Sequence, residues 1–320
     1  MSYTGPEFET PQPRRPRRGP LTVALAALVP GALLGWVVYE AVGGGGSDHA
    51  ASAASASGAS AAPSSHSSPS TDSAAPPGSG GASAGDGKDT AGGSGPLAGK
   101  VVVIDPGHNQ GNFEHATEIN QQVDIGTNRK ECDTTGTSTD AGYTEARFTL
   151  DVAHRLRALL EKQGATVKMT RDGDSPAWGP CVDQRARFGN TARADAAISI
   201  HADGAAQGDR GFHVILPGSV HAGAADTRKI VGPSRDLGTR IAGDFLRDTG
   251  EPPSNYVGKG TGLVTRTDLG GLNLSTVPKV FIECGNMRDS KDSALLTSGA
   301  WRQKAAQGMS DGIVSFLRES

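Results

Sequence analysis

The chain has 320 residues with 45 glycines and 19 prolines, and its hydrophobic share is 36%, against roughly 45% for ordinary globular chains. A net charge of −3 and a pI near 6.2 give no electrostatic reason for nucleic-acid binding, and three cysteines exclude a scaffold built from disulfides. There are no heptads, collagen-type triplets or tandem repeats, so the expectation is one folded domain behind a long leader.

The leader reads in three parts. Residues 1–20 form a basic tail carrying Arg14, Arg15, Arg17 and Arg18 among prolines. Residues 21–39 are uncharged, with Trp36 and Tyr39 near the far end. Eighteen such residues make about 27 Å of helix, enough to cross a bilayer core. The arginines place the tail in the cytoplasm and everything after the span outside it. Pro30 does not forbid the span, because membrane helices tolerate proline. The competing expectation is a cleaved signal peptide with a site near Ala51 and a secreted product; the length of the apolar run favours a single-pass membrane anchor. Residues 40–97 are a Gly/Ser/Ala linker that buries nothing, with an rms span of roughly 40 Å.

From residue 98 to 320 the pattern is that of a folded domain. Gly99–Ile104 is a short β-branched run, read as a buried strand that ends in Asp-Pro-Gly-His. Thr144–Gln163 places Phe148, Val152, Leu156, Leu159 and Leu160 at helical spacing, and Gly164 stops it. Further strands are expected at Ala165–Met169, Ala196–Ile200, Gly211–Leu216 and Lys279–Glu283, with helices at Val182–Arg193, Ser234–Thr249 and Ser298–Leu317. Strands alternating with helices predict an α/β fold, a mostly parallel sheet with helices on both faces. Ligands bind such sheets beyond the carboxyl ends of the strands.

Chemistry-bearing side chains collect at those ends. His108 follows the first strand, His201 the Ala196–Ile200 strand, Glu283 ends the Lys279 strand, and Glu145 opens the first long helix. Two imidazoles and one carboxylate suit a catalytic zinc with an open position, and a further carboxylate suits proton transfer. There is no H-E-x-x-H helix, and on spacing alone a strand-end histidine is more often a structural hydrogen-bonder than a ligand.

The segments VVVIDPGHNQG, GYTEARFTLDVAHRLRALLEKQGATVKMTR, ISIHAD, GFHV and VPKVFIECGNMRD follow one another in this order. Together they resemble the zinc-dependent N-acetylmuramoyl-L-alanine amidases, cell-wall hydrolases with a phosphorylase/hydrolase-like α/β fold, and ECGNM resembles their actinobacterial branch. The resemblance spans about residues 98–318. It implies one Zn2+ on His108, Glu145 and His201, with Glu283 as the catalytic glutamate. The implied substrate is peptidoglycan, cut at the amide between N-acetylmuramic acid and L-alanine of the stem peptide. Two other classes stay open: a non-catalytic peptidoglycan-binding protein, and another zinc peptidase or deacetylase. A protein activator is compatible with all three and leaves no sequence signature.

The remaining polar residues carry weaker expectations. Asn109-Gln110 stand where many relatives have a glycine pair, and the polar 109–144 segment reads as a substrate-contacting loop, a lid or a plain surface loop. Asp105 is expected to orient His108. Arg266 and Asn286 are candidate substrate-binding residues, Asn286 alternatively a holder of the loop after Glu283; Arg171 and Arg185 could meet stem-peptide carboxylates. His213 is a possible substrate contact and His154 is read as structural. Cys132 and Cys181 are expected to pair in an oxidising compartment, leaving Cys284 a buried free thiol.

Overall fold

The computed structural model describes residues 94–319. The basic tail, the 21–39 span and nearly all of the linker lie outside the described residues, among which no helix is long and apolar enough to cross a membrane. The folded unit takes in Leu97, fully buried and donating its N–H to the Gln163 carbonyl at 2.9 Å, one residue before the expected boundary.

Six strands form the sheet: β1 (Val101–Pro106), β2 (Thr166–Met169), β3 (Ala196–Asp203), β4 (His213–Pro217), β5 (Leu263–Arg266) and β6 (Lys279–Asn286). Their order across the sheet is β2-β1-β3-β6-β4-β5. Every neighbouring pair is parallel except β6 and β4. The main helices are α1 (Glu145–Lys162), α2 (Val182–Ala192), α3 (Val231–Thr249) and α4 (Gly299–Glu319). The expected elements are all present within a few residues of their predicted ends. The sequence reading missed β5, the short helices Ala116–Ile119, Gly270–Asn273 and Ser290–Leu296, and the two-stranded ribbons at 122–131 and 221–226, none longer than seven residues per element.

Strand alternation gives the sheet two unlike faces. Val102, Ile104, Ile198, Ile200, Val214, Leu216, Val280 and Ile282 point to one side and form the core with α1, α3 and α4. Burying each such side chain contributes roughly 1.5–3 kcal/mol. Helices α3 and α4 cross closely because Gly308 and Gly312 face α3 backbone: a Cβ there would lie 2.7 Å from the Phe245 Cα and 2.6 Å from the Ile241 Cα.

The opposite face, toward α2, joins a small apolar cluster of Val103, Ala194 and Ala197 to a set of buried charges. Buried Asp105 accepts hydrogen bonds from Thr170 Oγ1 at 2.6 Å, Ser199 Oγ at 2.5 Å, Arg185 Nη1 at 2.9 Å and Lys279 Nζ at 3.1 Å. Burial opposes its charge, but Lys279, Arg185 and the two hydroxyls outweigh it and hold the carboxyl far below the usual range. Asp105 therefore ties β1, β3, β6 and α2 together and does not orient His108. Arg171 is not a substrate contact either: it is buried and donates to the carbonyls of Pro106, Gly107 and Ala146.

Cys132 and Cys181 form the expected disulfide, which joins the 109–144 segment to the N-terminus of α2 across 49 positions. Cys284 is buried and free, and burial pushes its thiol well up.

Candidate metal and active site

His108 leaves β1 through Gly107. A side chain at 107 would meet the His201 ring, since a Cβ there would stand 2.2 Å from its Cε1. His108 itself takes a left-handed backbone conformation, φ 56°, which turns its ring back over the sheet edge. Glu145 is brought in by the start of α1, where Thr144 caps the helix by accepting from the Arg147 N–H. His201, expected just past the end of its strand, lies within it, because β3 runs on to Asp203, and its ring stacks on Phe281 at 5.3 Å between centroids.

The three side chains converge. Glu145 Oε1 lies 3.3 Å from His108 Nε2 and 2.9 Å from His201 Nδ1. One donor atom from each residue can be chosen so that all lie within 4.8 Å of one another, a set able to hold a metal ion. Glu145 is fixed by the Thr137 N–H on Oε2 at 3.0 Å and the Ala202 N–H on Oε1 at 3.2 Å. Burial would raise its pKa, yet the two histidines drive it far below the usual carboxylate range. Burial opposes a charge on His108, but Glu145 and then Asp133 raise its pKa well above that of free imidazole. Two imidazoles and a carboxylate brought together in this way make a nitrogen and oxygen donor set that suits a divalent metal ion.

Asp133 is the orienting carboxylate that sequence reading assigned to Asp105. Its Oδ1 lies 3.0 Å from His108 Nδ1, and its Oδ2 accepts from Arg185 Nη2 at 3.3 Å. Arg185 is consequently a buried clamp between Asp105 and Asp133 rather than a ligand for stem-peptide carboxylates. The only sequence signal for Asp133 was its place beside Cys132.

Glu283 shares a cleft of about 310 Å³ with His108, Glu145, His201, Thr137 and Arg266. Its Oε2 is buried without a partner, and burial, then Glu145 and Asp203, raise its pKa well above the usual range. The 109–144 segment walls this cleft through Thr134, Gly136 and Thr137. A second hollow of about 220 Å³ continues past His108 and His201 to Lys130, Glu131 and Leu269.

Arg266 reaches the cleft rim, where Nε and Nη2 donate to Asp268 at 2.8 and 2.6 Å. Asn286 is fully buried; its Oδ1 accepts from the Arg288 N–H at 2.9 Å, in the loop after Glu283 as expected, and its Nδ2 also donates to the carbonyls of Ala206 at 3.0 Å and Asp209 at 2.6 Å in the loop between β3 and β4, which leaves it no substrate contact. His154 pairs with Asp172 at 2.7 Å on the surface.

The profile of the N-acetylmuramoyl-L-alanine amidase family matches residues 102–315. Over 223 residues the chain is 43% identical to N-acetylmuramoyl-L-alanine amidase Rv3717 of Mycobacterium tuberculosis, covering 69% of this chain and 88% of that protein. The crystal structure of the N-acetylmuramyl-L-alanine amidase Ami1 from Mycobacterium smegmatis aligns with a TM-score of 0.63 at 40% identity, over 71% of this chain and all of that one (100%). The apo form of Ami1 from Mycobacterium abscessus aligns at 0.62 and 40%, over 69% of this chain and 100% of that one.

Proposed function

The chain belongs to the N-acetylmuramoyl-L-alanine amidase family, and from that premise we propose that it hydrolyses the amide between N-acetylmuramic acid and L-alanine in peptidoglycan, with zinc at the His108, Glu145 and His201 set and Glu283 as the base. The observation that supports it most directly is the meeting of two imidazole nitrogens at one Glu145 oxygen beside Glu283, whose Oε2 is buried and unpartnered.

Zinc in such a site supplies Lewis acidity, which makes water nucleophilic near neutral pH and polarises a carbonyl. The side chains do the rest. Glu283 takes the proton from the attacking water as the C–O bond forms, and returns it to the amide nitrogen as the C–N bond breaks. The products are the lactyl carboxylate and a free amine on L-alanine. Burial, Glu145 and Asp203 raise the Glu283 pKa, which suits its return of the proton to the leaving nitrogen. Asp133 holds the His108 ring, and Arg266 at the rim would bind a carboxylate of the stem peptide by exchanging Asp268 for it. Residues 21–39, outside the described structure, we propose as the membrane anchor that leaves the domain outside the cell; unchanged localisation after removal of residues 1–42 would refute this.

The test is the purified protein with zinc and a muramyl peptide, with products read by mass spectrometry. Stem peptide with a free L-alanine amine, lost on chelation and restored by zinc, is expected. Cleavage within the peptide or loss of acetyl would indicate another zinc hydrolase. Zinc-loaded protein that binds muramyl peptide without turnover would indicate a binding protein. Glu283→Gln should retain zinc and lose turnover by roughly 100-fold or more.

A further inference from the structure

Glu283 sits between two histidines. In strand register it lies opposite His201 of β3 on one side and His213 of β4 on the other. Opposed residues project to the same face of a sheet, with Cβ atoms about 4.5–5.5 Å apart in an antiparallel pair. The three side chains therefore make one row across β3, β6 and β4. His201 belongs to the metal set; His213 has no place in the chemistry so far.

His213 is nonetheless only 5% exposed, and its Nδ1 is buried with no hydrogen-bond partner. Buried side-chain polar atoms are seldom left unpaired. Here two such atoms, His213 Nδ1 and Glu283 Oε2, fall on one opposed pair of residues. The His213 ring is packed edge-on against Tyr256 at 6.0 Å between centroids. Tyr256 is itself fixed by donating to Asp203 Oδ2 at 2.8 Å, and Asp203 lines the cleft beside Glu283. Burial lowers the His213 pKa to about 4; Asp203 opposes the shift and Arg266 adds to it. At neutral pH the ring thus offers one N–H and one lone pair.

His213 Nδ1 and Glu283 Oε2 are not bonded to each other directly, and we propose that His213 is the positioning residue for Glu283: as the Nδ1–H tautomer it donates through one bridging water to Glu283 Oε2, leaving Oε1 alone to meet the proton of the attacking water. A glutamate carboxylate turns freely about its last bond, and a donor on one oxygen removes that freedom. The His213 proton stays on Nδ1 throughout; only the water proton moves, through Oε1, to the leaving nitrogen. This assignment rests on Glu283 being the base proposed above.

The test is steady-state kinetics of the zinc-loaded protein on a muramyl peptide, with bound zinc and Tm measured on the same samples. His213→Ala should lower kcat by roughly 10–100-fold, the range for partners that orient site groups, with KM within about twofold and zinc content unchanged. His213→Asn places an N–H near the Nδ1 position and should recover to within about fivefold of the parent, while His213→Gln, whose amide reaches the Nε2 position, stays slow. A parental kcat in His213→Ala, equal rates for the Asn and Gln variants, or a loss that follows lost zinc would each overturn the inference. Should the alanine variant not fold, the Asn and Gln pair decides. If Glu283→Gln turns over like the parent, the base assignment falls and takes this inference with it. If Glu283→Gln is dead while His213→Ala is fully active, only the role of His213 falls.

Discussion

Asp133→Asn tests how much of the proposed metal site lies outside its proposed ligands. The Asp133 carboxylate stands between His108 Nδ1 at 3.0 Å and Arg185 Nη2 at 3.3 Å, and the Thr134 N–H donates to Oδ1 at 2.8 Å. Burial opposes its charge, but the hydrogen bond to His108 and the Arg185 guanidinium bring its pKa down to about 2, so it is an anion throughout the working range. Asparagine keeps the shape and removes the charge. His108 Nδ1 still has the Thr134 carbonyl at 3.1 Å, so the ring stays turned but loses the anion that makes it a stronger ligand. Losing such a partner lowers metal affinity roughly 10–100-fold, and the surviving carbonyl places this case near tenfold, about 1.4 kcal/mol. Breaking a buried ion pair by removing one partner costs about 3–5 kcal/mol. Arg185 retains Asp105, the Pro106 and Pro180 carbonyls and Asn109, so the stability loss should be below that range. The assay is a zinc competition titration against a chelator, followed by activity at saturating zinc. An affinity within twofold of the parent would refute the reasoning, and so would an activity loss that saturating zinc fails to restore.

Further outcomes follow from other parts of the fold. Gly308→Ala and Gly312→Ala place a methyl against α3 backbone that has no rotamer to yield, and each should cost about 1–3 kcal/mol; denaturant melts at parental stability would show that the helices separate freely. Reducing the Cys132–Cys181 bond, or Cys132→Ser, should destabilise by about 2–4 kcal/mol and weaken zinc binding, because Cys132 adjoins Asp133; a change in Tm with unaltered zinc affinity would separate the two effects and refute the second. Glu251 is pushed up to about 7 by burial and then by Asp292, against the pull of Arg210. Its protonated form is the one the fold prefers, so its contribution is complete below about 4.5 and is lost as pH rises through about 7. Glu251→Gln should therefore flatten the fall in Tm between pH 5 and pH 8, and identical slopes in the two proteins would refute this.

The periodic parts of this fold were open to sequence reading and the irregular parts were not. The apolar runs at Val101–Ile104 and Ala196–Ile200 and the spaced residues of Phe148–Leu160 specify buried strands and an amphipathic helix by pattern alone, and the sheet edge they define is where His108, Glu145 and His201 meet. Charge was misread where it is buried. Arg171 and Arg185 look like surface cations in one dimension, yet each is enclosed and bonded to backbone around residues 106–107. Asp105, a charge at the end of an apolar strand, held the clue: it needed buried partners from elsewhere in the chain, and Arg185 and Lys279 are those partners. Asp133 had no periodic context: it follows a strand of only three residues, Arg129–Glu131, and is tied to α2 by the Cys132–Cys181 disulfide and the Val182 N–H to Cys132 carbonyl bond.

The loop held by Asn286 has a consequence for how this domain tolerates changes in length. Residues 204–212 leave β3 and enter β4, strands that flank β6 without touching each other, so the loop must arch over the end of β6 just past Glu283. Asn286 pins it at Ala206 and Asp209, and Asp289 pins it at Gln207 and Gly208. Residues inserted there would stand beside the cleft that holds Glu283, altering what can enter it before they altered the fold. Residues inserted between α1 and β2, at Gln163–Ala165, would emerge at the far edge of the sheet and leave the catalytic edge as it is. Lengthening the chain at these two places would thus separate changes in selectivity from changes without functional effect.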